Sequence, residues 1–381
     1  TSIFFTFVSR NYYRFLQILF INPTKFSVNL QELVMNKRLN ELDALRGIAA
    51  LLVVFFHFTM KKNNFDHFFK LGTTGVDLFF MISGFVIFMS LERISKGIDF
   101  AINRLSRLYP TYWFSVTFTF TVFSLVTICK EEFSAIYILK YLGNMTMFQF
   151  YLMIPNLDGP YWTLIIEMNF YIILLILFQL KLIKSINIIS VITCSITIVA
   201  TIFFGDFNFV KQIIFWAPIL QFFPLFFAGM VFYKIYNREG KLLQNYLLIV
   251  FCLFCQMLLF QYAGSSNKYI NQSQYNLMLT IYFLIFTFFV NNKLGVIVNK
   301  ITLFLGKISY ALYLVHQYIS IEIIIPFFYN KIGLNFWVTS LFIALPIIIL
   351  IATFITFKIE VPYSKKMKEK LKIAWVKYST N

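Results

Sequence analysis

The sequence predicts an all-α fold: a polytopic membrane helix bundle with about ten transmembrane helices, N-in and C-in. Three observations carry this. Hydrophobic residues make up 59% of the 381 residues and charged residues only 13%, where soluble domains carry about 25% charge. Apolar runs near the ~20 residues that a bilayer core requires recur from residue 42 to residue 358. With both termini in the cytoplasm, 25 of the 33 Lys and Arg residues fall inside, counting Arg46, the asymmetry expected of cytoplasmic loops.

Spans are expected near 42–60, 72–91, 108–129, 161–180, 186–204, 212–236, 242–262, 275–291, 301–325 and 335–358. No repeat or low-complexity linker separates them, so residues 36–360 read as one membrane domain. Residues 1–35 are aromatic and mildly basic, and Met35 directly precedes Asn36-Lys37-Arg38. They are expected to be translated sequence upstream of a start at Met35, the preferred reading, or an interfacial amphipathic extension. Residues 361–381 form a basic cytoplasmic tail. From Lys358 onward there are seven lysines and two glutamates, expected to be solvated and to rest on anionic lipid.

The net charge of +17 sits at helix ends and in this tail, so it argues for topology and lipid contact and against nucleic acid. Cys252 and Cys255 form a CxxC inside the apolar run 247–260 and read as buried small residues. No metal site is expected, because such a site needs further ligands. Asn144-Met145-Thr146 and Asn271-Gln272-Ser273 match the glycosylation acceptor pattern, a weak signal by itself.

Span 1 carries Arg46 and His57, eleven residues apart. Eleven helical steps return to within ~20° of the starting direction and advance about 16 Å, so both share one face. Asp43 lies one turn before Arg46, where the two can pair. Span 2, Gly72 to Phe85, mixes small residues with Asp77; Gly75, Ser83 and Gly84 permit close helix approach. Asp77 needs a partner, and a histidine or arginine is the natural one.

Span 3 opens with Asn103-Arg104-Leu105-Ser106-Arg107-Leu108-Tyr109-Pro110. Arg104 and Arg107, one turn apart, either anchor topology or grip phosphates bidentately, and Pro110 suits the first turn of a helix. Span 4 enters from outside with Tyr161 and Trp162, which fit an interfacial aromatic belt and equally a stacking surface for a sugar ring. Glu167 follows, a carboxylate at a depth where lack of a partner is costly. On span 9, Ser309, Tyr313, His316 and Ser320 share a face with Tyr310 beside it. By depth, His57, Asp77, Glu167 and His316 are expected at one level in the outer half. Such convergence points to an active cavity. His67 is expected in a solvated exterior loop.

Taken together, these residues resemble the integral-membrane acyltransferase family 3, which O-acetylates bacterial surface glycans. The opening element, a basic residue, ten residues and a histidine, is similar to Arg46 through His57. Phe79-Phe80-Met81-Ile82-Ser83-Gly84-Phe85, Arg104 with Arg107, Tyr161-Trp162-Thr163-Leu164 with Glu167, and Gly306-Lys307-Ile308-Ser309-Tyr310 through His316 complete the match. The likeness runs from about residue 38 to 360, in order. It implies an enzyme of the bacterial cytoplasmic membrane with no permanently bound cofactor. Acyl-CoA, acetyl-CoA by preference, is the implied cytoplasmic co-substrate, and a glycan hydroxyl is the acceptor.

The resemblance also implies His57 as the catalytic residue and Arg104 and Arg107 near the CoA phosphates. Asp77 and Glu167 are the expected carboxylate partners of His57. Arg46 is expected as a structural partner of Asp43 or as a contact to the CoA path, and Tyr161, Trp162, Tyr310 and His316 as substrate contacts. His57 would serve as general base or as transient acyl acceptor. The alternative is a proton-coupled transporter or flippase, which also places charges at mid-membrane. It is less well supported, because paired interrupted helices and an internal repeat are not evident.

Overall fold

The computed structural model describes residues 39–60, 69–262 and 266–380. The readings of residues 1–35 and of His67 lie outside the described residues. The compact unit starts at Glu41, and among its described residues there is no strand. Its helices are α1 (Asn40–Thr59), α2 (Gly75–Glu92), α3 (Gly97–Cys129), α4 (Ile136–Met145), α5 (Trp162–Gln179), α6 (Ile186–Phe204) and α7 (Asn208–Trp216). They continue as α8 (Phe223–Tyr236), α9 (Leu242–Leu259), α10 (Gln272–Val290), α11 (Lys300–Tyr318), α12 (Leu345–Ile355) and α13 (Val361–Thr380). Among the described residues, nine helical runs are long and apolar enough to cross a membrane, and a shorter apolar helix accompanies them. Apolar side chains such as Phe203, Phe209, Leu243 and Phe342 are exposed on the outside, as a lipid-facing surface requires.

Local sequence sets several helix starts. Asn299 caps α11 by accepting from the Ile301 and Thr302 amides, and Thr302 returns a bond to the Asn299 amide. Asn271 and Gln274 form the same reciprocal pair at α10. Each pair satisfies amides that the first helical turn leaves open.

Three expected boundaries change. The run expected at 212–236 divides into α7, a 3-10 turn (Pro218–Gln221) and α8. Pro218 and Pro224 lack an amide hydrogen and therefore start new turns. The fourteen residues of α8 reach about 21 Å, short of a ~30 Å core. Nearly all of α8 is buried, the place for a helix that is apolar all round. Second, α3 is 33 residues long and holds Pro110 in its interior rather than at its first turn. Third, the last span continues helically from Val338 to Ser379, so the basic tail is helix α13, packed along α3.

Two glycine crossings fix the core. A Cβ on Gly84 would overlap the Phe226 carbonyl, and one on Gly229 would overlap the Met81 carbonyl, so α2 and α8 touch backbone to backbone. A Cβ on Gly306 would overlap the Asp43 carbonyl, and one on Gly47 would lie 2.7 Å from the Gly306 amide nitrogen. These close approaches suit small residues at membrane helix interfaces. The second crossing has a consequence in the sequence. His57 follows Gly47 by ten residues, and His316 follows Gly306 by ten. Both helices run the same way through the membrane, so the crossing places the two histidines at one height.

Candidate active site

That height is where the two rings meet. His316 Nε2 lies 3.0 Å from His57 Nδ1, and the ring centroids are 4.9 Å apart at 60°. His316 Nδ1 faces the Tyr313 carbonyl at 2.9 Å and the Leu312 carbonyl at 3.2 Å. Carbonyls only accept, so His316 Nδ1 carries a proton and donates. With both rings neutral, His316 Nε2 is then a lone pair. His57 Nδ1 faces that lone pair and also the Val53 carbonyl at 2.8 Å, so His57 carries its proton on Nδ1. Its Nε2 is left unprotonated and makes no hydrogen bond among the described residues. His316 is fully buried, whereas His57 is partly accessible.

A cavity of about 80 Å³ lies on the inner side of this pair. Arg46 and Arg107 line one part of it, with Glu167, Ser83, Tyr171 and Tyr310 around them. Thr163 and Tyr313 line another part, joined hydroxyl to hydroxyl at 2.9 Å. Tyr313 is one turn before His316, with ring centroids 5.8 Å apart. The arginine side therefore leads along α11 towards the histidine pair. Arg46 also pairs with Asp43 at 3.4 Å, the expected one-turn contact, and Glu360 interacts electrostatically with Arg107 and Arg46.

The carboxylates differ from expectation. Glu167 Oε1 accepts from Ser83 at 2.7 Å and from the Tyr171 hydroxyl, among the arginines. Asp77 accepts from the Tyr275 hydroxyl at 3.1 Å, which in turn accepts from Gln256 at 3.1 Å. Among the described residues neither carboxylate hydrogen-bonds His57; the partner of His57 is His316. Depth along a helix axis does not fix direction around it. Val76, Ser83 and Ile87 form the line of α2 that faces the cavity, and Asp77 stands about 100° around the helix from Val76. The four groups expected at one level therefore divide into a histidine pair, a cavity carboxylate and an interhelical tie.

The arginines also separate. Arg107 lines the cavity, but Arg104 does not. Arg104 is buried, donates to Ser90 at 2.7 Å, and packs by the rings of Phe100 at 5.6 Å and Tyr171 at 5.9 Å. Tyr310 lines the cavity and donates to the Leu108 carbonyl at 3.2 Å. Tyr161 is fully buried edge-on against Tyr112, so neither ring face is open for a sugar. Trp162, about 100° around α5 from Thr163, lines a separate groove of about 440 Å³ with Phe150, Phe215 and Phe222. Among the described residues, no group of three or more His, Cys, Asp or Glu is placed to hold a metal ion. Asn144, in one glycosylation pattern, is buried and bonded to the Lys140 and Pro155 carbonyls.

Just outside the spans, Asp158 ties the start of α5 to the far end of α11. It accepts from the Gly159 amide at 2.7 Å and the Tyr318 amide at 3.2 Å. Burial pushes its carboxyl up to about 7, against those amides. Neither this clip nor Tyr171 was expected from the sequence; Ser83, Thr163 and Tyr313 were named there, but not the bonds that Ser83 makes to Glu167 and Thr163 to Tyr313. The equal ten-residue spacing from glycine to histidine on two spans was the available signal for the histidine pair.

Comparison with known proteins places these features in a wider group. The family model for the acyltransferase domain of acyltransferase family 3 matches residues 39–358. ORF330 of Acidianus two-tailed virus, a provisionally named acetyltransferase, is 25% identical over 292 residues, covering 71% of this chain and 80% of that protein. The exopolysaccharide production protein ExoZ of Rhizobium meliloti (strain 1021) is 42% identical over 48 residues, 12% of this chain and 15% of ExoZ. No solved structure gives a significant match.

Proposed function

The chain belongs to acyltransferase family 3, and from that premise we propose which group it transfers, between which partners, and by which residues. It is a multi-pass membrane acyltransferase. The proposed reaction moves an acyl group, acetyl by preference, from cytoplasmic acyl-CoA to a hydroxyl of a cell-surface or lipid-linked glycan. The proposed location is the cytoplasmic membrane. The observation that carries this reading is the cavity with Arg46 and Arg107 on one side and the Tyr313–His316 turn of α11 beyond the other. The names of the two relatives support an acetyl group and a polysaccharide acceptor.

In this scheme Arg46 and Arg107 hold the phosphates of the co-substrate by charge-assisted hydrogen bonds. Arg104 acts from behind, held by Ser90 and two aromatic rings. His57 Nε2 takes the proton of the acceptor hydroxyl as general base. The hydroxyl oxygen attacks the thioester carbonyl, the C–S bond breaks, and the proton passes from His57 to the departing thiolate. His316 is a positioning residue: it fixes the ring and tautomer of His57, the task that a third group performs in other base-assisted transfers. Glu167, held by Ser83 and Tyr171, balances the charge of the arginines.

The test is to incubate membranes carrying the protein with labelled acetyl-CoA and acceptor glycan. The glycan is then analysed by mass spectrometry with and without the protein. Label and an added acyl mass on the glycan, both dependent on the protein, are expected. Glycan that crosses the membrane without gaining mass would instead support a transporter.

A further inference from the structure

Helices α3 and α13 enclose a groove of about 890 Å³ that plays no part in the proposed chemistry. On α3 its lining is Pro110, Trp113, Phe114 and Thr117, a stripe at i, i+3, i+4 and i+7. On α13 it is Tyr363, Lys366, Met367, Lys370 and Leu371, which carry the same spacing and one further step on the facing helix. Such spacing marks one side of each helix, so an apolar stripe looks onto a stripe that carries two ammonium groups. None of the groove's lining residues is acidic. Lys366 lies over the ring of Tyr363, its Nζ 5.4 Å from the centroid, and both residues line the groove.

We propose that this groove is a binding site for one anionic phospholipid, with acyl chain along the Trp113–Phe114 stripe and phosphate at Lys366 and Lys370. The occupant follows from the lining. A free phosphate has no use for the aromatic wall, and a neutral lipid has none for the paired lysines. The site differs from a diffuse attraction of the basic tail to the membrane. Lys368 and Lys372 stand about 200° and 240° around α13 from Lys366 and lie outside the groove.

The experiment is native mass spectrometry of the purified full chain titrated with phosphatidylglycerol or phosphatidylcholine. One phosphatidylglycerol should be retained where phosphatidylcholine is not. Each lysine near an anionic surface is worth about a fivefold change in affinity. The double variant Lys366→Gln/Lys370→Gln should therefore bind phosphatidylglycerol roughly thirtyfold more weakly. The charge-matched Lys368→Gln/Lys372→Gln should stay within about twofold of the unaltered chain. Phe114→Ala, which keeps every charge, should also weaken retention. Equal losses in the two lysine pairs, equal retention of the two lipids, or displacement of the lipid by free CoA would each overturn the proposal. Melting curves of every variant confirm that the fold is intact.

Discussion

Gly47→Ala is the substitution that asks most of the α1–α11 crossing while leaving every polar group in place. The added methyl would meet the Gly306 amide nitrogen at 2.7 Å, Leu305 Cβ at 2.8 Å and the Thr302 carbonyl at 2.9 Å, where ordinary contact begins at 3.4 Å. Two of these atoms are backbone, so the helices must part by about 0.7 Å, the difference between 3.4 and 2.7 Å. That opening lengthens the 3.0 Å bond between the histidines towards about 3.7 Å, past the range in which a hydrogen bond holds. Losing one neutral bond costs about 1 kcal/mol, and a displacement approaching 1 Å in a reacting group costs up to about a hundredfold in rate. The expected result is a fall in kcat of about fivefold to a hundredfold, with overpacking lowering stability by about 1–3 kcal/mol. The assay is initial-rate acyl transfer in reconstituted vesicles, paired with thermal melting in detergent. Gly295→Ala is the control, because nothing lies within 4 Å of its added methyl. Unchanged kcat in a folded Gly47→Ala protein would show that this crossing does not set the histidine register.

Three further outcomes are expected. His316→Phe keeps a buried ring but removes the acceptor of the His57 Nδ1 proton; kcat should drop about fivefold, from the ~1 kcal/mol of one neutral bond, with little change in KM and an altered pH–rate profile. Arg107→Ala should raise KM for the acyl donor, because Arg107 faces the cavity, whereas Arg104→Ala should act mainly on melting temperature, because Arg104 is packed between rings; matched KM effects would contradict the division.

For Asp158 the carboxyl is pushed from 3.8 up to about 7 by burial, helped by Glu322 and opposed by the Tyr318 and Gly159 amides and Lys140. The folded chain then holds the proton more tightly than the unfolded one between about pH 4 and 7. The stability from this group falls as pH rises through that window, by on the order of 4 kcal/mol at most. Melting temperature against pH should slope accordingly, and Asp158→Asn should flatten the slope.

Most of the fold was legible in the sequence, because hydrophobic length is the quantity that a bilayer selects. Spans such as 42–60 and 186–204 correspond to α1 and α6. What sequence length missed is where an apolar run is interrupted from within, as at Pro218 and Pro224, or prolonged by partners outside the membrane, as where α13 packs on α3. Of the residues expected at a candidate site, Arg46, Arg107, Glu167 and Tyr310 line the cavity, and His57 and His316 form the pair. Their pairings were not, because depth estimates give height without azimuth. Asp77 turned to Tyr275, and the partner of His57 proved to be a second histidine. Only the small residues of the crossing, Gly47 and Gly306, carried that information, and they act through a neighbour remote in sequence.

In the proposed reaction, transfer runs through His57. The direct measurement is acyl transfer from labelled acetyl-CoA to acceptor glycan in vesicles containing the original protein or His57→Ala, at matched protein content and with matched melting curves. Transfer should be abolished in the variant while membrane insertion and folding persist. A folded His57→Ala protein that acylates the glycan at the original rate would show that transfer does not depend on His57.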